Sequence, residues 1–279
     1  MKYCLYFDEL KNKNIISKEN EILISYKEED TNLLDICRQY SEQRIVIDIS
    51  NFYLFKESDG IKKIQGLKEV LPHTDIVLRI FYNKEDCLLL QKNNLPFFCN
   101  KFANTWEIFN GLLNLGVTDI YVTEELGFNI TKCAEIAHSK NIFIRVFPDV
   151  AQSTWYGTQE EIKKFFIRPD DLIQYEPYVD VLEFVGHTDR QEIIYEIYKK
   201  QRWAGPINEI IKDLSINVDN RTIIPRFAQN RLNCEKKCQK GNSCNICPTI
   251  LQLANSLKEK NIVIKNKKLD TKDLLEKEK

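Results

Sequence analysis

Arg44-Ile-Val-Ile-Asp-Ile-Ser50 is a near-continuous apolar run rich in β-branched residues. A run of this kind is what a parallel strand buried on both faces looks like, because helices cover each side of such a sheet. Working outward, 21–26 (Glu-Ile-Leu-Ile-Ser-Tyr) reads as a strand and 31–40 as a helix, with Leu33, Leu34, Cys37 and Tyr40 at helical spacing. On the other side a helix over 60–70 leads to a strand over 75–82, and a helix over 84–92 to a strand over 96–100. A helix over 105–115 is closed by Gly116, a residue suited to a C-terminal stop. Strands over 119–124 and 142–147 flank a helix over 130–139. After a longer connection, 164–168 reads as a seventh strand and 181–185 as an eighth, followed by helices near 171–175 and 191–200. Counted from Glu21, eight strands each precede a helix-like or connecting segment, the arithmetic of a (β/α)8 TIM-type barrel. An open doubly wound sheet is the runner-up, but no glycine fingerprint or switch point supports it. Residues 2–7 are strand-like and stand outside the count.

The alternation breaks after Trp203, which divides the chain into a barrel over 1–205 and a C-terminal extension over 206–279. Residues 206–214 read as one more helix, and the last dozen as a charged tail. With 279 residues, 43% hydrophobic and 29% charged, the chain can bury a full core as a globular protein. A net charge of -1 provides no global field for nucleic acid or an anionic membrane. Neither a signal peptide nor an apolar run of membrane-spanning length is evident, so the expected location is cytoplasmic. Cys4, Cys37, Cys87, Cys99 and Cys133 read as buried small hydrophobes in a reducing compartment.

The other four cysteines fall in Cys234-Glu-Lys-Lys-Cys238-Gln-Lys-Gly-Asn-Ser-Cys244-Asn-Ile-Cys247-Pro248, a C-x3-C-x5-C-x2-C pattern. Pairs two or three residues apart let one chain turn offer two soft thiolates to the same ion. Pro248 suits the first turn of a helix, so Cys247 is expected at a helix N-terminus, where the dipole favours a thiolate. Disulfides on a surface loop are the competing reading, disfavoured by such tight clustering in a reducing compartment. Zinc ribbons usually hold their pairs a dozen or more residues apart, and only five intervene here. Compact runs ending in Cys-Pro point to an iron–sulfur cluster. Both metals stay open, iron–sulfur first.

Three stretches together resemble the collagenase-like peptidase family, which includes iron–sulfur proteins that hydroxylate RNA or ubiquinone precursors. They are Leu113-Asn-Leu-Gly-Val-Thr-Asp-Ile-Tyr-Val-Thr-Glu-Glu-Leu126, Ile142-Phe-Ile-Arg-Val-Phe147, and the segment over 165–186 with the tyrosine-rich helix after it. The resemblance covers about 95–200, implies a barrel independently of the strand count, and puts Glu125 at the family's acidic position. Two departures stand out. The family's Glu-Gly-Arg is Val185-Gly186-His187 here, and the connection after the sixth strand carries no cysteine. No family cysteine therefore maps onto this chain.

In such barrels chemistry is carried by the C-terminal ends of the strands. Polar residues expected there include Asp48, Ser50, Asn51, Tyr82, Asn83, Asn100, Lys101, Thr123, Glu124, Glu125, Asp149, Arg168, Asp170, His187 and Asp189. The candidate catalytic set is Glu125, Arg168, Asp170, His187 and Asp48, with the acids as proton-transfer groups and Arg168 as a bidentate anion clamp. His187 is the only histidine placed for catalysis, since His73 and His138 read as surface residues at helix ends. Strand ends also favour Asp, Ser and Asn for plain capping reasons, which is the bland alternative for each of these. The basic stretch 226–240 would fit RNA phosphates or offset the charge of a thiolate cluster.

Two functions follow. One is an enzyme whose barrel mouth holds an iron–sulfur cluster on Cys234, Cys238, Cys244 and Cys247 and which, by the resemblance, hydroxylates or otherwise modifies RNA or a small aromatic molecule. It predicts lost activity with the fold kept in Glu125→Gln or Arg168→Met. The other is a non-catalytic barrel stapled by structural zinc and acting in an assembly. A peptidase reading rests on the family name alone and ranks last, because no nucleophile elbow, Walker loop or H-E-x-x-H is present.

Overall fold

The computed structural model describes residues 1–27, 32–49, 52–57, 59–151, 164–185, 190–232, 234 and 246–259, with Glu124 and Glu125 described in backbone only. The first half runs β1 (Lys2–Tyr6), β2 (Asn20–Ser25), α1 (Leu33–Gln39), β3 (Arg44–Ile49), α2 (Phe52–Glu57), α3 (Gly60–Val70), β4 (Ile76–Ile80), α4 (Lys84–Lys92), β5 (Phe97–Cys99) and β6 (Phe102–Ala103). There follow α5 (Trp106–Asn114), β7 (Asp119–Val122), α6 (Glu124–Gly127), α7 (Ile130–His138), β8 (Phe143–Val146), α8 (Leu172–Tyr175), β9 (Val181–Glu183), α9 (Gln191–Lys199), α10 (Arg226–Leu232) and α11 (Ile246–Glu259).

The fold is α/β. One sheet of nine strands, every pair parallel, has the order β5-β4-β3-β2-β1-β9-β8-β7-β6. Its two end strands are consecutive in the chain, with only Asn100 and Lys101 between them. Local chemistry sets the boundaries. Asn83 caps α4 by accepting from the Glu85 and Asp86 amides at 2.9 and 3.4 Å, and Thr105 caps α5 through the Ile108 amide. Gly116 takes φ +60 just after α5, the left-handed stop its sequence position predicts.

Three expectations are corrected. Residues 164–168 are not a strand of this sheet; the central strand is instead β1, the segment left outside the count. Phe165 and Phe166 find a different environment, packing on Phe128 and Phe227 at ring distances of 5.7 and 6.0 Å. The helix expected over 206–214 is a single 3-10 turn at Ile207–Glu209, because Pro206 and Lys212 are drawn into bridges with Asp219 and Val150. Part of the basic stretch is helical, as α10, and the helix expected from Pro248 starts earlier, at Ile246.

The described chain forms two compact units. The first comprises Met1–Val122, Lys132–Val146 and Val179–Glu183 and contains the whole sheet. The second comprises Thr123–Thr131, Phe147–Tyr178 and Phe184–Lys279.

Alternation along the strands decides what fills the first unit. In β3, Ile45, Ile47 and Ile49 occupy one face, while Arg44, Val46 and Asp48 occupy the other. The second face is ionic. Arg44 binds Asp119 in a fork (Nη1–Oδ1 2.6 Å, Nη2–Oδ2 2.5 Å) and reaches Glu21 at 2.9 Å. Arg145, fully buried, donates to Glu21 at 2.6 Å, Asp119 at 3.2 Å and Glu183 at 2.9 Å. Arg79 donates to Glu183 at 2.8 Å and Asp48 at 2.5 Å. β3 and β7 lie five places apart in the strand order, roughly 24 Å in a flat sheet. The Arg44–Asp119 contact therefore requires a sheet curled, barrel-like, around these side chains.

Burial disfavours charge on Asp119 and Glu183, yet the arginines win. Arg44 and Arg145 hold the Asp119 carboxyl below its ordinary 3.8, and Arg79 and Arg145 hold Glu183 below its ordinary 4.5. A carboxylate with a lowered folded value contributes stability that is full above its ordinary value and lost as pH falls through the folded one. Urea midpoints are therefore expected to be flat above those ordinary values and to drop below them. Arg145→Met, which strands buried carboxylates, is expected to cost about 3–5 kcal/mol in urea unfolding. Lys18→Met, at an exposed pair with Glu42, should leave the midpoint unchanged.

Candidate functional site

At the C-terminal ends of the strands in the first unit, the ionic interior opens toward solvent. Glu183, the last residue of β9, accepts from the Tyr6 hydroxyl at 2.5 Å and from Arg79 on one oxygen. On the other oxygen it accepts from the Tyr121 hydroxyl at 2.7 Å and from Arg145. A carboxylate bonded through both oxygens is an anchor and not a free base. Burial, reinforced by the Glu183 charge, pushes both tyrosine hydroxyls far above their ordinary value, so they stay neutral donors. Asp48 is different. It is bonded to Arg79 through one oxygen, and its side chain is 20% exposed against 0% for Glu183. Arg79 stays charged because Glu183, Asp48 and the tyrosines outweigh its burial, and its Nε has no hydrogen-bond partner among the described residues. Asp48 and Arg79 are thus the members of the interior network within reach of a ligand, positioned by the buried layer beneath them. Around them Phe81, Tyr82 and Phe102 are exposed, with Lys101 Nζ 3.9 Å from the Tyr82 ring centre and Phe102 edge-on to Tyr121 at 5.5 Å.

Sequence reasoning selected Asp48 but missed Arg79, Glu183, Tyr6 and Tyr121. The available signal was a charge inside an apolar strand, Ile-Val-Leu-Arg79-Ile and Val-Leu-Glu183-Phe-Val. Such a charge must find partners on the face it shares with Asp48.

Arg168 and Asp170 belong to the second unit and do something other than clamp a ligand. Arg168 is buried; its Nε and Nη2 bind Asp171 at 2.7 and 2.6 Å, and its Nη1 donates to Asn220 Oδ1 at 3.0 Å and to the Asn220 and Ile223 carbonyls. Asp170 accepts from the Trp203 amide at 3.0 Å and the Asn220 side-chain amide at 2.5 Å. Burial pushes the Asp170 carboxyl above its ordinary value despite Arg168. In this arrangement Arg168 and Asp170 form a latch that fastens 203–223 onto 168–171, with the Arg168 donors turned to protein acceptors.

The cysteine segment is described at its two ends. Cys234 follows α10, its amide donating to the Arg231 carbonyl at 3.1 Å, and Cys247 lies in the first turn of α11. Both are half-buried, and no disulfide joins them to each other among the described residues. Between them chemically is Arg231, buried against Phe166, Phe227 and Phe128 at 4.5, 4.7 and 5.0 Å and bonded to the Lys164 carbonyl. Burial lowers its affinity for the proton, while Tyr175, Cys247, Asp171 and Cys234 act in the opposite direction. Gly127 supports this packing, since a Cβ there would meet the Phe165 ring at 2.5 Å.

Cys238, Cys244, His187, Asp189, Ser50 and Asn51 lie outside the described residues, as does the Glu125 side chain, whose backbone is in α6. Asp149 is fully buried, Asn83 serves as the α4 cap, and His138 pairs with Asp180 at 2.8 Å. Among the described residues no group of three or more His, Cys, Asp or Glu is arranged to hold a metal, and no helix is long and apolar enough to cross a membrane. No family model matches the chain, and no curated protein matches it.

Arg168→Met is expected to destabilise the second unit by about 3 kcal/mol or more, because it leaves Asp171 buried without its counter-charge. Native-state hydrogen exchange should show early opening of 203–223. Asp48→Asn is expected to keep the native exchange pattern, since Arg79 retains Glu183.

Proposed function

We propose that the chain is a (β/α)8 barrel metalloprotein in which Cys234, Cys238, Cys244 and Cys247 hold one thiolate-bound centre and Asp48 with Arg79 forms the reacting rim. Barrel closure is supported by the Arg44–Asp119 contact and by end strands only two residues apart in sequence. The observation that carries the metal reading is the C-x3-C-x5-C-x2-C spacing of the four cysteines, and buried Arg231, three residues before Cys234, supports it. A guanidinium in that position offsets the negative charge of assembled thiolates, and soft sulfur donors in this spacing suit an iron–sulfur cluster first and zinc second. An iron–sulfur cluster supplies electron transfer. The residues of this chain supply the rest: Asp48 is the proton-transfer group through the oxygen that Arg79 does not hold, and Arg79 fixes that carboxylate and steadies nearby negative charge.

By its resemblance to the collagenase-like peptidase family the activity is hydroxylation or a related modification of RNA or a small aromatic molecule. The ionic interior favours an enzyme over a passive barrel. An apolar filling would be at least as stable, so charge retained at the mouth is better explained by chemistry than by stability. The second reading, a binding module with structural zinc, is favoured by Arg168 and Asp170 acting as a latch.

Anaerobic purification with iron, sulfide and zinc analysis and a visible spectrum tests the proposal. Iron and sulfide in a coloured protein, bleached in Cys244→Ser, is the expected result. Zinc alone in a colourless protein selects the second reading, and a metal-free protein overturns both.

A further inference from the structure

Two of the five cysteines outside the C-terminal segment form a pair. Cys87, in α4, and Cys99, the last residue of β5, have sulfurs 3.5 Å apart, and both are buried and unbridged. A disulfide needs about 2.05 Å between sulfurs, so a closing movement of roughly 1.5 Å within one helix–strand contact would form it.

We propose that Cys87 and Cys99 are a reversible peroxide-sensitive dithiol, with Cys87 as the reacting thiol and Cys99 as the resolving one. The Cys87 thiolate attacks hydrogen peroxide, breaking the O–O bond; sulfur takes one oxygen as a sulfenic acid, and the other leaves as water after taking a proton. The Cys99 sulfur then attacks the Cys87 sulfur, forming the S–S bond and releasing the oxygen as a second water. The two thiols lose two electrons in total, and one peroxide is reduced to two waters. A small-molecule thiol reverses the step by exchange through a mixed disulfide.

The assignment of roles follows the position of Cys87 in the first turn of α4, the helix end that favours a thiolate, whereas Cys99 ends a strand. Either sulfur can donate in the contact between them; with Cys99 as donor it favours the Cys87 thiolate, holding Cys87 below its ordinary value despite burial, and together with burial it pushes Cys99 up. The other buried cysteines run the opposite way from Cys87. Burial raises Cys4 far above its ordinary value, Cys37 to about 11 and Cys133 to about 12. Selectivity comes from the sulfur 3.5 Å away, which diverts the sulfenic acid into a disulfide, with thiolate character acting in the same direction.

The bond would tie α4 to the chain just before Asn100 and Lys101, where β5 gives way to β6. Asn100 is bonded there through its amide to the Ile80 carbonyl at 2.7 Å, and Lys101 covers the Tyr82 ring. Oxidation would thus act on the same strand ends that present Arg79 and Tyr82, whatever chemistry they carry.

Peptide mapping after hydrogen peroxide treatment of the full-length folded chain tests this. Trypsin cuts after Lys84, Lys92 and Lys101, so Cys87 and Cys99 fall in separate peptides, 85–92 and 93–101. The expected product is these two peptides linked, released by dithiothreitol, and formed before any linkage of Cys4, Cys37 or Cys133. In Cys99→Ser, Cys87 should instead accumulate as a sulfenic acid trapped by dimedone. The proposal is overturned if the two peptides are recovered unlinked from protein that keeps its circular dichroism while Cys234 or Cys247 has been oxidised. It is overturned equally if folded Cys99→Ser gives no dimedone adduct on Cys87.

Discussion

Arg145 cannot be buried alone. A guanidinium with no access to water needs acceptors, and it finds them on Glu21, Asp119 and Glu183, which come from three different strands. That requirement fixes the curvature of the sheet more strictly than the apolar residues do, because aliphatic side chains tolerate small shifts and forked ionic bonds do not. Arg44 closes the network at one end of the strands and Arg79 at the other, so three cations and four carboxylates follow the strand direction through the interior. The aliphatic residues of β3, Ile45, Ile47 and Ile49, face away from this network and are buried too. Function and fold meet at Asp48, which is part-exposed at the Arg79 end of the network, while the exposed Asp75 pairs with Arg44 at the other end.

The second unit solves the same problem with different means. Arg168 is saturated by Asp171, Asn220 and a backbone carbonyl, and so becomes a fastening between chain segments about fifty residues apart. Arg231 is packed against the ring faces of Phe166, Phe227 and Phe128 and bonded to the Lys164 carbonyl.

Much of the architecture was legible in the sequence. The helices over 60–70 and 84–92 coincide with α3 and α4, and the strand expected from Arg44 with β3, because the apolar pattern there is clear. The barrel-like strand count came out close for a partly mistaken reason. Lys2–Tyr6 is short and follows the N-terminal methionine directly, whereas the aromatic run at 164–168 has every local property of a strand. Only tertiary partners separate the two: Phe165 and Phe166 pair with rings of the second unit, and β1 pairs with β2 and β9. The candidate site was legible in part. Asp48 stood at a strand end and was visible. Arg79, Glu183 and Tyr121 stand inside apolar runs, where periodicity suggests strand and conceals which face carries the charge. Arg168 looked like a clamp because its acceptors, Asn220 and Ile223, are more than fifty residues away. The Cys87–Cys99 pair, twelve residues apart on a helix and a strand, has no sequence signature at all.

The account depends on β3 and β7 facing each other across the interior, so the most direct test is a double-mutant cycle on that contact. Urea unfolding of Arg44→Met, Asp119→Leu and the double variant gives the coupling between the two side chains. A favourable coupling of about 1–3 kcal/mol, the range for directly bonded residues, is the predicted result. Additive losses with no coupling would contradict it, and with it the curled sheet, the ionic interior and the rim that Asp48 and Arg79 share.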